Sequence, residues 1–364
     1  MHKKIIIAGG GTGGHIFPAI AIANAIKQQQ PATEFLFVGA KGKMEMERVP
    51  QAGYQIVGID IAGLNRSSLL KNIGLPLKIV KSFLQVRRIF KEFKPDAVIG
   101  VGGYATFPVL KHAQAMGVPT FIHESNSFAG KANKMLAKGA EKIFTGTPGM
   151  EQFFPAEKIM VTGNPVRSVI AEASISREDA LAFFDLDPKK TTILVVGGSL
   201  GARSINEAIL GGAAQLLGEN LQLVWQTGKS LATEAAQLGA AHKAIWASEF
   251  ISNMEYAYAA ADMVIARAGA MTVAEISIVA KPAIFVPYPY AAEDHQTANA
   301  KQLADLGAAL LVKDGDAKKE LVEKAIALAG DATKRKAMHD QLAALGIKDA
   351  ANRVAEEILK SISK

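Results

Sequence analysis

The chain has 364 residues, of which 49% are apolar and 21% are charged, and it contains 33 glycines and no cysteine. This length predicts about two domains, each able to bury its own core, and the composition excludes a disordered chain. Without cysteine there is no disulfide framework, no thiolate nucleophile and no cysteine-ligated zinc, which fits a reducing compartment.

The positive charge is concentrated in the first half of the chain. Residues 1–166 carry 20 basic and 10 acidic side chains, a net charge of +10, whereas residues 167–364 carry 21 and 24, a net charge of −3. This asymmetry indicates that the first half faces an anionic partner, such as phosphates, a membrane surface or a nucleic acid. The first apolar run is too short for a signal peptide, and no run reaches the roughly 18 residues of a transmembrane helix. We therefore expect a cytoplasmic protein that touches a membrane, if at all, from outside.

Short runs rich in valine and isoleucine alternate with longer segments of helical periodicity along the whole chain. Their hydrophobicity is continuous rather than alternating, which is typical of parallel strands covered by helices on both faces. The sequence therefore predicts a doubly wound α/β architecture. Examples of these predicted strands are residues 5–8, 35–38, 97–101, 120–122, 143–145, 193–196, 221–225, 263–266 and 283–286.

A strand followed by a glycine-rich turn opens the chain at residues 5–15 and recurs at residues 193–203. We therefore expect two Rossmann-like domains that face each other across a cleft, residues 1–164 and 165–349. A turn-rich segment that begins at Gly163 interrupts the periodicity and is the expected linker. The amphipathic last segment, 350–364, can belong to either domain, including by packing back on the first.

Four glycine-rich loops follow predicted strands. The first matches G-x-G-x-x-G at Gly9, Gly11 and Gly14, but the dinucleotide fingerprint also needs an acidic residue at the tip of the second strand, where this chain has Lys41. NAD is therefore disfavoured, and a Walker A loop is excluded because no Gly-Lys-Ser/Thr follows any of the turns. The glycines of one loop can simply permit a tight turn. Four such loops at the carboxyl edges of parallel sheets favour a nucleotide-linked substrate and an acceptor.

Six segments, taken in this order, carry a resemblance to a known family. They are residues 10–18 (GGTGGHIFP), 102–104 (GGY), 123–126 (HESN), 163–167 (GNPVR), 197–203 (GGSLGAR) and 267–275 (RAGAMTVAE). Together they closely resemble the MurG family, the UDP-GlcNAc:undecaprenyl-pyrophosphoryl-MurNAc-pentapeptide N-acetylglucosaminyltransferases of bacterial cell-wall synthesis. The resemblance covers nearly the whole chain. It implies a two-domain GT-B fold and the inverting conversion of lipid I to lipid II.

Two positions depart from the family pattern. Leu200 stands where glutamine is usual, which weakens any claim for a side-chain contact there. The segment 123–127 reads HESNS rather than HEQNG, so only Glu124 and Asn126 carry over from it.

The resemblance implies that the second domain binds UDP-GlcNAc. In this resemblance Glu275 accepts hydrogen bonds from the ribose hydroxyls, and the main chain at Ile251 binds the uracil. Ser199 contacts the diphosphate, and Arg167 is a possible cation for the leaving group. The resemblance also implies that the Ala270 N–H donates a hydrogen bond to the GlcNAc 4-hydroxyl. The candidates for the donor site are Thr12, Gly13, Gly14, Asn126, Arg167, Ser199, Ile251, Ala270, Met271, Thr272, Glu275, Gln296 and Asn299. Gln296 and Asn299 are three residues apart and so share one helical face.

His15 is the leading candidate for the base that takes the proton of the muramyl 4-hydroxyl, because a helix N-terminus disfavours the charged imidazolium. Holding the loop or binding the acceptor diphosphate remains the alternative for His15, and Glu124 can orient it or share its role. The acceptor candidates are Gly11, Thr12, Gly103, Tyr104 and Asn126. The histidines show no ligand spacing and no DxD pair is apparent near the end of a predicted strand, so no metal or other cofactor is expected.

The segment 66–94 carries eight basic residues against Glu92 alone, interleaved with apolar residues. An ordinary helix with a solvated basic face explains part of this pattern. The apolar surplus favours docking on anionic lipid at the cytoplasmic face of the plasma membrane, whereas no aromatic platform supports a nucleic-acid partner. The proposed membrane residues are Leu69, Leu70, Lys71, Ile73, Leu75, Lys78, Ile79 and Lys81.

Two rival functions stay open at this point. One is another GT-B nucleotide-sugar enzyme, such as a UDP-GlcNAc 2-epimerase or a glycolipid glycosyltransferase. The other is a non-catalytic, membrane-docked subunit that presents a nucleotide sugar to a partner. Other cell-wall synthesis proteins are further possible partners.

Overall fold

The computed structural model of the chain describes residues 2–61, 75–198 and 201–363. The chain divides into two compact units, one formed by Met1–Arg167 with Asp349–Lys364 and the other by Ser168–Lys348. The division therefore falls after Arg167, which belongs to the first unit. Each unit is built on its own parallel sheet, which confirms the expected doubly wound α/β class.

The first unit has a seven-stranded sheet in the order β3-β2-β1-β4-β5-β6-β7. Its strands are β1 (Lys4–Ala8), β2 (Glu34–Ala40), β3 (Gln55–Ile59), β4 (Ala97–Gly100), β5 (Thr120–Glu124), β6 (Lys142–Thr145) and β7 (Ile159–Val161). The run at β1 is apolar throughout because both faces of the strand are covered. Ile6 and Ala8 pack into one buried cluster, whereas Ile5 and Ile7 pack into another on the opposite face.

The helices of the first half of the chain alternate with these strands. They are α1 (Gly13–Gln29), α2 (Glu45–Gln51), α3 (Leu75–Phe93), α4 (Thr106–Ala115) and α5 (Lys131–Leu136). None of the helices in the described parts of the chain is long and apolar enough to cross a membrane.

The second unit has a six-stranded sheet in the order β10-β9-β8-β11-β12-β13. Its strands are β8 (Thr191–Val196), β9 (Leu221–Gln226), β10 (Ile245–Ser248), β11 (Met263–Ala266), β12 (Ala283–Phe285) and β13 (Ala309–Leu311). Its helices are α6 (Ser168–Ala171), α7 (Arg177–Phe183), α8 (Arg203–Gly218), α9 (Ala232–Ala241), α10 (Met254–Ala260), α11 (Ala270–Val279), α12 (His295–Asp305), α13 (Ala317–Gly330) and α14 (Ala332–Leu345).

The last helix, α15 (Ala350–Ile362), returns to the first unit. Its apolar face includes Val354 and Ile358, which are fully buried in the same cluster as Ile22 and Ile26 of α1. The amphipathic pattern of this helix is therefore explained by packing against α1.

Four strands lie outside the nine runs given as examples, namely β3, β7, β10 and β13. They are the edge strands of the two sheets. In β3 the side chains of Gln55 and Val57 are exposed, and in β7 none of the three residues is buried. Because an edge strand is partly solvated, it lacks the continuous apolar run by which the central strands were predicted.

Candidate functional site

The strand order of the first unit reverses between β1 and β4, which makes this the topological switch point of the sheet. The glycine loop that contains Gly10 and Gly11 follows β1, and the loop that contains Gly102 and Gly103 follows β4. Ligands of doubly wound sheets bind outside the carboxyl ends of the strands at such a point. The structure therefore brings two of the predicted glycine loops to the expected binding edge.

These two loops interlock through their backbones. The Gly10 N–H donates to the Gly102 carbonyl at 3.1 Å, and a Cβ atom on Gly103 would lie only 2.3 Å from the Gly10 oxygen. Gly10, Gly11 and Gly103 have φ values of +138°, +89° and +91°, which side chains other than glycine rarely adopt. The positive φ values, together with the close backbone approach at Gly103, therefore account for these glycines even before a ligand is considered.

His15 lies in the first turn of α1, beside both loops. Its Nδ1 atom is 3.0 Å from the Gly10 carbonyl oxygen and 3.5 Å from the Thr12 hydroxyl. A carbonyl oxygen only accepts, so Nδ1 carries the proton in this contact. In the neutral ring the lone pair then belongs to Nε2, which is the arrangement that a general base needs.

The loop after β1 is held by a carboxylate that the sequence did not single out. Glu45, at the start of α2, is 1% exposed, and its Oε2 accepts the Gly11 N–H at 2.7 Å while its Oε1 accepts the Ala40 N–H at 3.0 Å. The Gly11 N–H thus points to Glu45 and not to a ligand. The dinucleotide fingerprint needs its acidic residue at the tip of β2, whereas Glu45 lies five residues beyond the end of β2 and folds back onto the loop after β1.

Glu124, the second candidate base, is buried at the end of β5, with 3% of its surface exposed. Its Oε1 accepts from the backbone N–H and the side-chain amide of Asn126, at 3.1 and 3.3 Å. Its Oε2 accepts from the Gly130 N–H at 3.0 Å and the Asn133 amide at 2.8 Å. Both oxygens are committed to the loop between β5 and α5, so Glu124 holds this loop in place.

His123, next to Glu124, is completely buried, and its Nδ1 is 3.3 Å from the Ser125 hydroxyl. Burial lowers the pKa of His123 to about 4, and the nearby His15 acts in the same direction. His123 is therefore neutral at neutral pH.

The remaining acceptor candidates differ in exposure. Thr12 and Tyr104 are exposed, the latter with 50% of its surface accessible, whereas Asn126 is half-buried beside Glu124. Arg167, predicted as the cation for the leaving group, places its guanidinium 5.4 Å from the ring centre of Phe17 in α1. These side chains belong to the same unit as His15.

The second unit repeats this arrangement, since its strand order reverses between β8 and β11. Gly197 and Gly198 follow β8, Gly201 and Ala202 precede α8, and the loop at 267–269 follows β11. Gly201 has a φ of +78°, and a Cβ atom there would lie 2.1 Å from the Thr227 carbonyl oxygen. The predicted diphosphate loop therefore packs tightly against the loop after β9.

Gln226, at the end of β9, links two parts of the predicted donor site and was missed in the sequence. Its amide nitrogen donates to the Gly198 carbonyl at 2.9 Å, and its amide oxygen accepts the Ile251 N–H at 2.9 Å. Gln226 is 4% exposed. The Ile251 N–H is therefore already hydrogen-bonded. Gln226 positions the main chain at Ile251, which is the segment predicted to bind the uracil.

The first turn of α11 contains Ala270, Met271 and Thr272, whose N–H groups have no preceding helical turn to accept them. One turn further on, Glu275 accepts a hydrogen bond from the Tyr258 hydroxyl at 2.9 Å. Because Tyr258 is 2% exposed, this contact fixes the direction of the Glu275 carboxylate.

Gln296 and Asn299 of α12 both make contacts to the main chain. The Gln296 oxygen accepts the Tyr288 N–H at 2.9 Å. Asn299 is 3% exposed, and its amide donates to the Ala268 carbonyl at 3.1 Å. The structure thus places Asn299 behind the loop that leads into α11, where it supports that loop.

Two family models match the chain: the glycosyltransferase family 28 N-terminal domain over residues 5–145 and the C-terminal domain over residues 192–354. The UDP-N-acetylglucosamine--N-acetylmuramyl-(pentapeptide) pyrophosphoryl-undecaprenol N-acetylglucosamine transferase of Phocaeicola vulgatus is 51% identical, covering 99% of this chain and 97% of the relative. The transferase of the same name from Parabacteroides distasonis is 48% identical, covering 99% of each chain. The crystal structure of Acinetobacter baumannii MurG matches with a TM-score of 0.79 and 32% identity, covering 98% of this chain and 99% of that one. This chain belongs to the MurG family.

Membership of the MurG family makes the two sheets those of a GT-B glycosyltransferase, as the sequence motifs implied. Ser199 and Leu200, including the departure from the family pattern, lie outside the described residues. Within residues 2–61, 75–198 and 201–363, no three His, Asp or Glu side chains gather as a metal site.

The helix proposed to face a membrane is α3. Leu69, Leu70, Lys71 and Ile73 lie outside the described residues, as does the side chain of Leu75. Lys78 is exposed, Ile79 is 38% exposed, and Lys81 forms an ion pair with Asp60 at 3.2 Å. Leu77, Val80 and Leu84 are exposed by 77%, 60% and 63%. They form an apolar stripe at helical spacing. The eight membrane residues predicted from the sequence include neither Val80 nor Leu84.

Proposed function

We propose that this chain transfers GlcNAc from UDP-GlcNAc to the 4-hydroxyl of MurNAc in undecaprenyl-pyrophosphoryl-MurNAc-pentapeptide, lipid I, and so forms lipid II for peptidoglycan synthesis. The observation that carries the proposal is the position of the family's motif residues. His15 stands at the switch point of one sheet, and Glu275 and the first turn of α11 stand at that of the other. The transferases that share about half of its residues over nearly the full length bear this activity in their names.

In this mechanism the muramyl 4-hydroxyl attacks C1 of GlcNAc and displaces UDP, which inverts the α-linked donor to a β-linked product. His15 Nε2 takes the hydroxyl proton, since Nδ1 is held as a donor by the Gly10 carbonyl. A well-placed base of this kind contributes roughly 10²–10⁴ in rate. Glu124 holds Asn126 and the loop after β5 in place for the acceptor.

On the donor side, Glu275 accepts hydrogen bonds from the ribose hydroxyls. The hydrogen bond from the Tyr258 hydroxyl sets the orientation of the Glu275 carboxylate. The first-turn N–H groups of α11 supply donors to the diphosphate-sugar region, with Ala270 reading the GlcNAc 4-hydroxyl. Ser199 and Arg167 are assigned to the diphosphate. As the bond to GlcNAc breaks, fixed dipoles and the guanidinium stabilise the negative charge that develops on the diphosphate. Gln296 and Asn299 support this arrangement from α12.

We further propose that α3 docks the enzyme on anionic lipid at the cytoplasmic face of the plasma membrane, where lipid I is held by its polyprenyl chain. The exposed stripe of Leu77, Val80 and Leu84 supplies the apolar contact. The basic residues around it add about 1 kcal/mol each near an anionic surface. Lys81 contributes less than Lys78, because Asp60 neutralises part of its charge. Other cell-wall synthesis proteins are expected as further partners.

The deciding experiment incubates the protein with UDP-GlcNAc, with and without a short-chain lipid I analogue, and measures UDP release and the disaccharide product. We expect UDP release that requires the analogue and gives a β-linked GlcNAc-MurNAc product. Conversion of UDP-GlcNAc without any acceptor would favour an epimerase. Donor binding without UDP release would favour a non-catalytic subunit, and transfer only to an unrelated glycolipid would favour another transferase.

A further inference from the structure

The buried carboxylate of Glu45 and the ring of His15 hold the two ends of the same peptide group. Glu45 Oε2 accepts the Gly11 N–H at 2.7 Å, and the Gly10 carbonyl lies 3.0 Å from His15 Nδ1. The carbonyl of Gly10 and the N–H of Gly11 belong to one planar peptide unit. The order in space is therefore carboxylate, peptide group, imidazole.

We propose that Glu45 is a positioning residue for the transfer reaction, acting on His15 through the Gly10–Gly11 peptide group. This inference rests on the proposed role of His15 as the base. The carboxylate fixes the plane of the peptide group and polarises it, so that its carbonyl becomes a stronger acceptor for the His15 Nδ1–H. The peptide group thus does for His15 what a directly bonded carboxylate does for the histidine of a hydrolytic triad.

The surroundings of Glu45 leave few other orientations for it. Its side chain passes so close to two glycines that a Cβ atom on Gly10 would lie 2.3 Å from its carboxyl carbon, and one on Gly39 would lie 2.5 Å from its Cγ. Its other oxygen is held by the Ala40 N–H at the end of β2. The loop after β1 is therefore tied to β2 by Glu45 and to the loop after β4 by the Gly10 N–H.

A buried carboxylate is costly unless hydrogen bonds compensate for its lost hydration. Both oxygens of Glu45 have such hydrogen bonds, from the Gly11 and Ala40 N–H groups. His123 on β5, which interacts with His15, is neutral at neutral pH because burial lowers its pKa. Glu45 places a carboxylate on the peptide group whose carbonyl contacts His15 Nδ1.

The test compares wild type, Glu45→Gln and the control Asp96→Asn. Asp96 also accepts a backbone N–H with its carboxylate, that of Lys4 at 2.7 Å, but at the opposite end of β1. For Glu45→Gln we expect kcat/KM to fall roughly 10-fold or more, with the KM for UDP-GlcNAc unchanged. The acidic limb of the profile of kcat/KM against pH should move to lower pH by about half a unit, since the imidazolium loses a favourable charge. Asp96→Asn should leave both unchanged.

A measurement without substrates separates this inference from the proposed function. Nitrogen-15 spectra of histidine-labelled wild type should show neutral His15 protonated at Nδ1, and the pKa of His15 should be lower in Glu45→Gln than in wild type. Protonation of the neutral His15 ring at Nε2 in wild type would overturn the inference even if no variant folds. An unchanged His15 pKa together with an unchanged pH profile in a folded Glu45→Gln variant would also overturn it. Loss of transfer in wild type would instead refute the proposed function.

Discussion

The side-chain oxygen of Gln226 accepts the backbone N–H of Ile251 at 2.9 Å, while the amide nitrogen of the same side chain donates to the Gly198 carbonyl. One buried amide thus sets the spacing between the strip assigned to the uracil and the loop assigned to the diphosphate. Because both bonds are made by a single side chain, a shift of one part is transmitted to the other.

Replacing Gln226 by leucine should therefore weaken donor binding. The change leaves the buried Ile251 N–H without its acceptor, at about 1–3 kcal/mol of stability, and removes the hydrogen bond to the Gly198 carbonyl. We therefore expect the KM for UDP-GlcNAc to rise about 10-fold. Gln222→Leu is the matched control, because Gln222 is a fully buried glutamine on the same strand that bonds to Asp187 and Thr192, away from the donor loops. Equal effects of the two variants on KM would count against this role of Gln226.

Replacing Gly102 by alanine should displace the ring of His15. A Cβ atom at Gly102 would lie 2.7 Å from His15 Nε2 and Cδ2, so the ring has to move, and a move of this size at the base is expected to lower kcat about 10-fold or more. Gly117→Ala introduces the same kind of backbone strain, at a φ of +71°, but with open space around the new atom. Gly117→Ala should lose stability without losing kcat, and matching losses of kcat would show that strain alone explains the effect.

The buried His123 should make stability fall as the pH is lowered. Its folded pKa is about 4 and the unfolded value is about 6.5. Between these values the unfolded chain binds a proton that the folded chain does not, so stability rises with pH through this window and is fully present above pH 6.5. The expected contribution is about 3 kcal/mol.

This contribution can be measured by urea unfolding of wild type and His123→Asn between pH 4.5 and 7.5. Circular dichroism is the suitable signal, because both tryptophans, 225 and 246, belong to the second unit. The free energy of unfolding of wild type should fall more steeply toward acid pH than that of the variant. Parallel curves would show that His123 takes up its proton without unfolding.

Placing charge in the stripe on α3 should abolish membrane docking. Val80→Asp with Leu84→Asp removes the exposed apolar contact, so we expect vesicles containing anionic lipid to carry wild type but not this double variant in a flotation assay. Met135→Asp is the control, since Met135 is 67% exposed elsewhere in the same unit. Flotation of the double variant at the wild-type level would refute the assignment of this face.

The sequence predicted the central strands and the glycine loops because their signals are local. A strand covered on both faces needs an unbroken apolar run, as at Ile5 to Ile7, and a loop with positive φ needs glycine, as at Gly10. Residues that act by returning from elsewhere carry no such local signal. Glu45 reaches the loop after β1 from beyond β2, and Gln226 ends an apolar strand that gives no sign of its polar role.

The exposed or buried state of a predicted site residue also depends on packing that the sequence does not encode locally. Asn299 shares a helical face with Gln296, as predicted, yet it is buried and holds the Ala268 carbonyl. Lys81 was predicted from charge alone as a lipid contact, but it forms an ion pair with Asp60, twenty-one residues earlier. Asp60 also accepts hydrogen bonds from Lys41 and Gln85. These neighbours become visible only when the strands are in place.

The central claim is that His15 is the base of the transfer reaction, and a single comparison tests it most directly. Acceptor-dependent UDP release is measured for wild type and His15→Ala with the lipid I analogue, together with the dissociation constant for UDP-GlcNAc. The account predicts that kcat falls roughly 10²–10⁴-fold while donor affinity changes less than about threefold, since the ring contacts the first unit's loops. A kcat within about threefold of wild type, or a loss of donor affinity that accounts for the whole decrease, would contradict it.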